Sequence, residues 1–419
     1  IFPGVHMSFS ISTRYALRCL ARHKRRTALS VVGIALGCCV SMLMVSFVRG
    51  EGEMMMRAAA ESGTGHLRLV PREWTKTRDN RLRLPDWQEH LRMMRRIGEV
   101  EVVAPRARTE ALLAFGTRTA GVEMVGVAPE REQRLNRLVR DVHRGRYLRP
   151  DDTDAVVIGS TLAERLDVRL DDDLMVTVSG RGGQMRGAML RIVGIVSSGS
   201  RQIDMGLCHT PLQKVAGITG YENAAEITAL VKEPDSIPSL VSRLRSRLPR
   251  EVAVVTWAEI LPELASGVEV DKTWTNLMVG LVIVMVFLGI ASAQLTAVLE
   301  RRREFAVLAA LGMHGTQLVH IMVMEGVFLG LIGGGLGIVL GVPGAYLMAE
   351  YGIDFTAMYG EADLSVSNIL LDTVIYGDFG WWLLPLALGL ALGSTTLSSL
   401  YPAWYALRTD PATALRVEK

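Results

Sequence analysis

The stretch TALSVVGIALGCCVSMLMVSFV, residues 27–48, decides the fold: 22 residues without a formal charge. At about 1.5 Å rise per residue, a helix of that length crosses a hydrocarbon layer of roughly 30 Å. Three more runs of the same kind follow at 273–299, 326–349 and 379–407, with 27, 24 and 29 residues. Core helices of water-soluble proteins seldom stay charge-free that long. The sequence therefore predicts a membrane α-helical protein with four transmembrane helices and, between the first two, a large extracytoplasmic α+β domain. The first run is too long for a cleavable signal and has no small-residue cleavage site, so it reads as a retained anchor.

The net charge of +3 is less informative than its placement. Arg14, Arg18, Arg22, Lys24, Arg25 and Arg26 precede the first run with no acid among them; Arg301, Arg302 and Arg303 lie between the second and third; Arg408, Arg416 and Lys419 follow the fourth. The connection 350–378 holds Glu350, Asp354, Glu361, Asp363, Asp372 and Asp378 and no Lys or Arg. Positive loops stay inside, so both termini and the 300–318 loop are expected in the cytoplasm. The expected division is 1–26 as a cytoplasmic amphipathic helix, 27–49, 272–299, 319–349 and 379–407 as spans, and 50–271 as the periplasmic domain. The segments 300–318, 350–378 and 408–419 are then a cytoplasmic coupling loop, a short periplasmic loop and a cytoplasmic tail. Membrane lipid headgroups, not nucleic acid, are the expected partners of the basic clusters.

Within 50–271, strand-like runs at 101–104, 121–127, 155–158, 174–178, 189–196 and 226–231 alternate with helical runs at 86–97, 161–166, 236–248 and 257–265. This order predicts a mixed α+β domain. Gly180, Gly182, Gly183 and Gly187 between two strand runs predict a hairpin tip at 179–187. Small residues recur at four-residue spacing in every span: Gly33 and Gly37, Gly289 and Ala293, Gly333, Gly337 and Gly341, Gly389 and Gly393. That spacing lets helix backbones approach closely in lipid, within one bundle or at a dimer seam. Pro343, Pro385 and Pro402 predict kinks.

Several chemistries find no sequence support. No GxxxxGK[ST], GxSxG or HExxH run is present, and the eight histidines lack partners at motif spacing. No catalytic residue and no metal ligand is assigned, the protein is not expected to be an enzyme, and Cys208 alone gives the outer domain no disulfide framework. The spans hold no internal charge apart from Glu325 near one end of the third, which speaks against an ion-coupled carrier. The energy source is therefore expected to be another protein, with the arginine-bearing 300–315 segment as its docking element.

Four segments resemble the FtsX-like permeases, the superfamily of the MacB-type exporters and the lipoprotein-releasing LolC and LolE permeases. They are LERRREFAVLAALGMHGTQLVHIMVMEGVFLGLIGGGLG (299–337), YPAWYALRTDPATALRVEK (401–419), ALRCLARHKRRTALSVVGIALG (16–37) and, closer to the LolE-like branch, SGTGHLRLVP (62–71). The resemblance implies an ABC transporter permease working as a homo- or heterodimer of permease protomers, each bound to a LolD- or MacB-type cytoplasmic ATPase. That ATPase, not this chain, would bind ATP and Mg, so no cofactor is expected here. Glu300, Arg301, Arg302, Arg303 and Glu304, with Ala310, Leu311 and Gly312 of the family's ALG, would face the ATPase. In a lipoprotein-releasing member, the lipid anchor would sit against Met42, Met44, Phe47, Val48 and Met54 on one side and Trp274, Leu277, Met278 and Leu281 on the other. A periplasmic lipoprotein carrier or adaptor would be a further partner, although the 179–187 tip is short for a carrier-recruiting loop. A MacB-like efflux permease with an adaptor and an FtsX-like activator of a cell-wall hydrolase remain open beside lipoprotein release.

Overall fold

The computed structural model describes Arg18, Arg22 and residues 24–140, 142–221, 224–300, 315–356, 365–366 and 369–408. In chain order the helices are α1 (Lys24–Glu61), α2 (Trp87–Arg95), α3 (Pro129–Leu135), α4 (Ser160–Leu166), α5 (Arg201–Gly206), α6 (Leu212–Thr219), α7 (Ile237–Arg247), α8 (Pro262–Glu300), α9 (Gly315–Tyr351) and α10 (Leu383–Arg408), besides one-turn pieces. The strands of the main sheet are β1 (Leu67–Pro71), β2 (Val100–Phe115), β3 (Arg118–Val127), β4 (Val142–Gly145), β5 (Ala155–Gly159), β6 (Asp173–Ser179), β7 (Met185–Val196), β8 (Cys208–Pro211), β9 (Glu226–Val231) and β10 (Val252–Thr256). The chain divides into two compact units. One holds Ile1–Glu51, Glu269–Ile353 and Ile375–Lys419; the other holds Gly52–Val268 with Asp354–Val374.

The first unit carries the apolar helices α1, α8, α9 and α10, each long and apolar enough to cross a membrane. Helix α1 runs beyond its charge-free stretch to Glu61, because Met54, Met55, Met56 and Ala58–Ala60 are good helix formers. Helix α9 is the packing centre of this unit, and its glycines explain how. A Cβ on Gly333 would lie 2.7 Å from Ile34, and one on Gly337 would lie 2.7 Å from Cys38 Cβ, so this row fits only against α1 as glycine. A second row meets α10, where a Cβ on Gly326 would lie 2.6 Å from Ser399 Oγ and one on Gly334 would lie 2.9 Å from Ala391. Ser394, Thr395, Ser398 and Ser399 are buried on α10 and donate to carbonyls one turn back, so none is left unpaired in an apolar setting.

Arg49 pairs with Asp378 at 3.1 Å and stacks 4.2 Å over Trp382, and Ser46 Oγ donates to Asp378 O, which ties α1 to the start of α10. Pro343 and Pro402 lie inside helices. Pro385 instead falls in the first turn of α10, where no intrahelical N–H is lost, so it starts a helix and does not kink one.

The second unit is a mixed α+β fold on a ten-stranded sheet of order β10-β1-β9-β2-β3-β8-β5-β7-β4. Strand β6 pairs with both β2 and β7, so β2, β3, β8, β5, β7 and β6 close into a six-stranded ring. Closure removes free edges from this half. Its interior is apolar, with Leu113, Met124, Ile158, Leu174, Val176 and Leu190 all fully buried beneath α4 and α6. The other half, β10-β1-β9 with the first part of β2, packs Leu67, Leu69, Ile227 and Val254 against α2 and α7. The β6–β7 turn is the hairpin expected from its glycines, with Ser179 opposite Met185 and positive φ at Gly182 and Gly183.

Candidate functional site

Two features stand out: an apolar groove in the first unit and a buried charge cluster in the second. The groove follows from small residues on α1 and α8. Near Gly37 the helices touch, since a Cβ there would lie 2.6 Å from Val286. At Gly33 and Gly289 a Cβ would meet nothing within 4 Å, so the helices leave a hollow between them. The hollow has a volume of about 540 Å³ and is walled by Leu29, Leu36, Val40, Val282, Met285 and Ile290 among others. Leu29 and Met285 are 76% and 62% exposed, although they lie within apolar helices. Arg26 stands at one end of the groove and pairs with Glu325 of α9 at 3.5 Å. This ion pair gives Glu325 a partner on a neighbouring helix.

None of the nine residues expected to hold a lipid anchor lines this groove; they lie at other positions along α1 and α8, and Met54 belongs to the second unit. Met42 departs furthest from expectation: it is 1% exposed and packs in a cluster with Cys38, Ala345, Leu383 and Ala387. The reason is Gly341, whose missing side chain admits the Met42 sulfur against α9. Met44, Phe47, Val48 and Met54 are half-buried. Trp274, Leu277, Met278 and Leu281 are exposed and share one face of α8 by their three- and four-residue spacing. The same face continues to Met285 in the groove wall. Of the coupling residues, Glu300 ends α8. Arg301, Arg302, Arg303, Glu304, Ala310, Leu311 and Gly312 lie outside the described residues, as does most of the expected 1–26 helix.

In the second unit, three arginines from β1 and β2 meet three glutamates where the two halves of the sheet join. Arg68 donates to Glu226 at 3.1 Å; Arg108 donates to Glu226 at 3.0 Å and to Glu123 at 2.6 Å; Arg106 grips Glu132 with two hydrogen bonds of 2.9 and 2.5 Å. Burial alone would raise the Glu226 carboxyl, but Arg108, Arg68 and Arg106 outweigh it and hold it at about 2. Burial pushes His209 down to about 4, against the pull of Glu132, and its Nδ1 hydrogen-bonds Tyr147 Oη at 2.8 Å. Every charge here has a partner, so the arrangement fixes the joint between the sheet halves and offers no free nucleophile or base. A cavity of about 370 Å³ lies over it. Sequence reasoning missed this cluster. Its signal was a charge inside apolar strand runs, as at Arg68 in HLRLVP and Glu226 in EITALV.

Among the described residues no group of three or more His, Cys, Asp or Glu side chains could hold a metal ion. Comparison with known proteins adds the family. The MacB-like periplasmic core domain family matches residues 27–247, more than half of the chain, and the FtsX-like permease C-terminal family matches residues 276–411. A lipoprotein-releasing system transmembrane protein LolC from Neisseria meningitidis is 26% identical over 98% of this chain and 100% of its own. A LolE of the same system from Haemophilus influenzae is 23% identical over 92% of this chain and 93% of its own. A macrolide export ATP-binding/permease protein MacB from Hyphomonas neptunium is 25% identical over 97% of this chain and 61% of its own. Carrying four membrane-length helices and a domain of that kind, the chain belongs to the FtsX-like, MacB-type family of ABC transporter permeases.

Proposed function

We propose that this permease takes motion from a separate cytoplasmic ATPase and uses it to lift lipid-anchored proteins, or lipids themselves, from the outer leaflet of a bacterial inner membrane. The observation that carries this reading is the exposed apolar stripe Trp274, Leu277, Met278 and Leu281 on the outer-leaflet half of α8, which continues to an apolar groove of about 540 Å³ between α1 and α8 that runs on toward Arg26. The groove's size falls in the range of roughly 300–1,000 Å³ common for small-molecule sites, and its walls are almost wholly apolar. Trp274, Leu277, Met278 and Leu281 form an exposed stripe leading into it, and Met285 is flexible enough to adapt to acyl chains. The similarity to LolC and LolE over nearly the full chain supports the same choice.

The test is mass spectrometry of the protein purified in several mild detergents. Acylated protein or phospholipid should copurify, and Gly33→Trp with Gly289→Trp, which fills the hollow, should reduce the yield about tenfold. No bound lipid in any detergent would refute the reading. Coupling is tested separately: Arg301→Glu, Arg302→Glu and Arg303→Glu together should abolish copurification with the ATPase while the chain still inserts. Similarity to MacB favours a second reading, efflux with a periplasmic adaptor. An adaptor bound to Gly52–Val268 with no lipid cargo would select it. A cell-wall hydrolase partner with no cargo at all would select the third.

A further inference from the structure

Strand β10 ends the sheet and pairs only with β1. Arg72 N–H donates to Glu251 O and Trp257 N–H donates to His66 O, which brackets the ladder. By the antiparallel alternation, Ala253 and Val255 exchange hydrogen bonds with β1, and the backbone groups of Val252, Val254 and Thr256 point away from it. Part of this outer edge is covered. Val252 N–H donates to Pro249 O, Val254 O accepts from Arg245 at 3.2 Å, and Thr256 N–H donates to Glu259 at 2.8 Å. Val252 O and Val254 N–H have no hydrogen-bond partner among the described residues.

A groove of about 570 Å³ runs along this edge. Five cations line it, Arg72, Lys76, Arg78, Arg245 and Arg250, against the single carboxylate Glu259. Glu259 is already engaged by Arg245 at 3.0 Å and by the cap at Thr256. Arg78 donates to Glu259 O and stacks on Trp74. Arg72, Lys76 and Arg250 are exposed and make no ion pair among the described residues. Glu73 and Glu251 are their sequence neighbours but do not line the groove.

We propose that this edge docks an extended acidic segment of an extracytoplasmic partner protein as an eleventh strand. A peptide backbone supplies the C=O and N–H that Val254 N–H and Val252 O require, which a lipid phosphate cannot do for both. Carboxylates along the segment meet the three unpaired cations. A second copy of this chain is disfavoured as the occupant, because it would bring the same basic rim against this one. With the other outward groups of β10 engaged, backbone pairing is confined to Val252–Val254, about 7 Å of strand, and the carboxylates that meet the cations flank that short contact.

The experiment uses the full chain in neutral detergent and a fluorescein-labelled heptapeptide alternating glutamate and valine, read by anisotropy at low ionic strength. The peptide should bind. Arg72→Glu with Lys76→Glu should weaken it at least tenfold, and Arg72→Lys with Lys76→Arg should retain it. Methylating alternate peptide amides, which leaves the charge unchanged, should weaken it at least fivefold. Three results would each overturn the proposal: no binding to the folded chain, indifference to the charge reversal, or equal competition by the methylated peptide or by phosphatidylglycerol vesicles.

Discussion

Glu132→Gln removes one charge from a pair sealed inside the second unit. The side chains of Arg106 and Glu132 are 2% and 0% exposed, and Glu132 also accepts from Asn136 at 3.2 Å. In Glu132→Gln the guanidinium keeps one neutral acceptor and loses its counter-charge. Breaking a buried pair from one side costs about 3–5 kcal/mol. With a urea dependence of about 2 kcal/mol per M, typical for a domain of this size, the midpoint should fall by about 1.5–2.5 M. Arg106 also bonds Gly63 O, so the turn that follows α1 should loosen with it. The assay is urea unfolding of the full chain in detergent, followed by tryptophan emission, to which Trp74, Trp87 and Trp257 of the second unit contribute among the seven tryptophans. Replacing both partners together, Arg106→Met with Glu132→Met, should recover most of the loss, because no uncompensated charge remains. A shift below about 0.5 M for Glu132→Gln, about 1 kcal/mol, would refute the reasoning.

Acid sensitivity should begin with histidine. His66 and His209 are buried and held at about 4 against an ordinary 6.5, so the unfolded chain binds their protons first. Stability should be level above pH 6.5 and fall as pH drops from 6.5 to 4, by about 3 kcal/mol per histidine. Glu226, at about 2, adds no slope until pH falls below about 4.5. Urea midpoints at pH 7 and pH 4.5 measure this, and His209→Gln should roughly halve the difference, leaving the part due to His66. In the membrane unit, Gly337→Leu should cost about 1–3 kcal/mol in a detergent melt by forcing α9 from α1. Gly389→Leu, where a Cβ meets nothing within 4 Å, should change the same melt little.

The four long apolar helices were legible because charge-free runs of more than 20 residues leave few alternatives, and glycine spacing marked which face of α9 would pack. The hairpin at 179–187 was legible from its glycines, and β9 was bounded correctly as 226–231. Strand β2 was read only at 101–104, yet it runs to Phe115, because Arg106, Arg108 and Glu110 interrupt its apolar alternation. Arg106 and Arg108 are paired by partners 15 to 118 residues away, which no local pattern reveals, and Glu110 is exposed. The closure of the ring through β6 is likewise a long-range pairing. The groove was missed for a related reason: residues were chosen by depth along α1 and α8, whereas the hollow forms where Gly33 and Gly289 lack side chains.

The account rests on residues 52–268 lying outside the membrane and the arginine-rich loop lying inside. Membrane-impermeant maleimide labelling of single cysteines tests it directly, in a background without Cys19, Cys38, Cys39 and Cys208. Arg181→Cys, exposed at the β6–β7 tip, should react in intact spheroplasts, and Arg302→Cys should react only after lysis. Labelling of Arg302→Cys in intact spheroplasts with Arg181→Cys protected would contradict it.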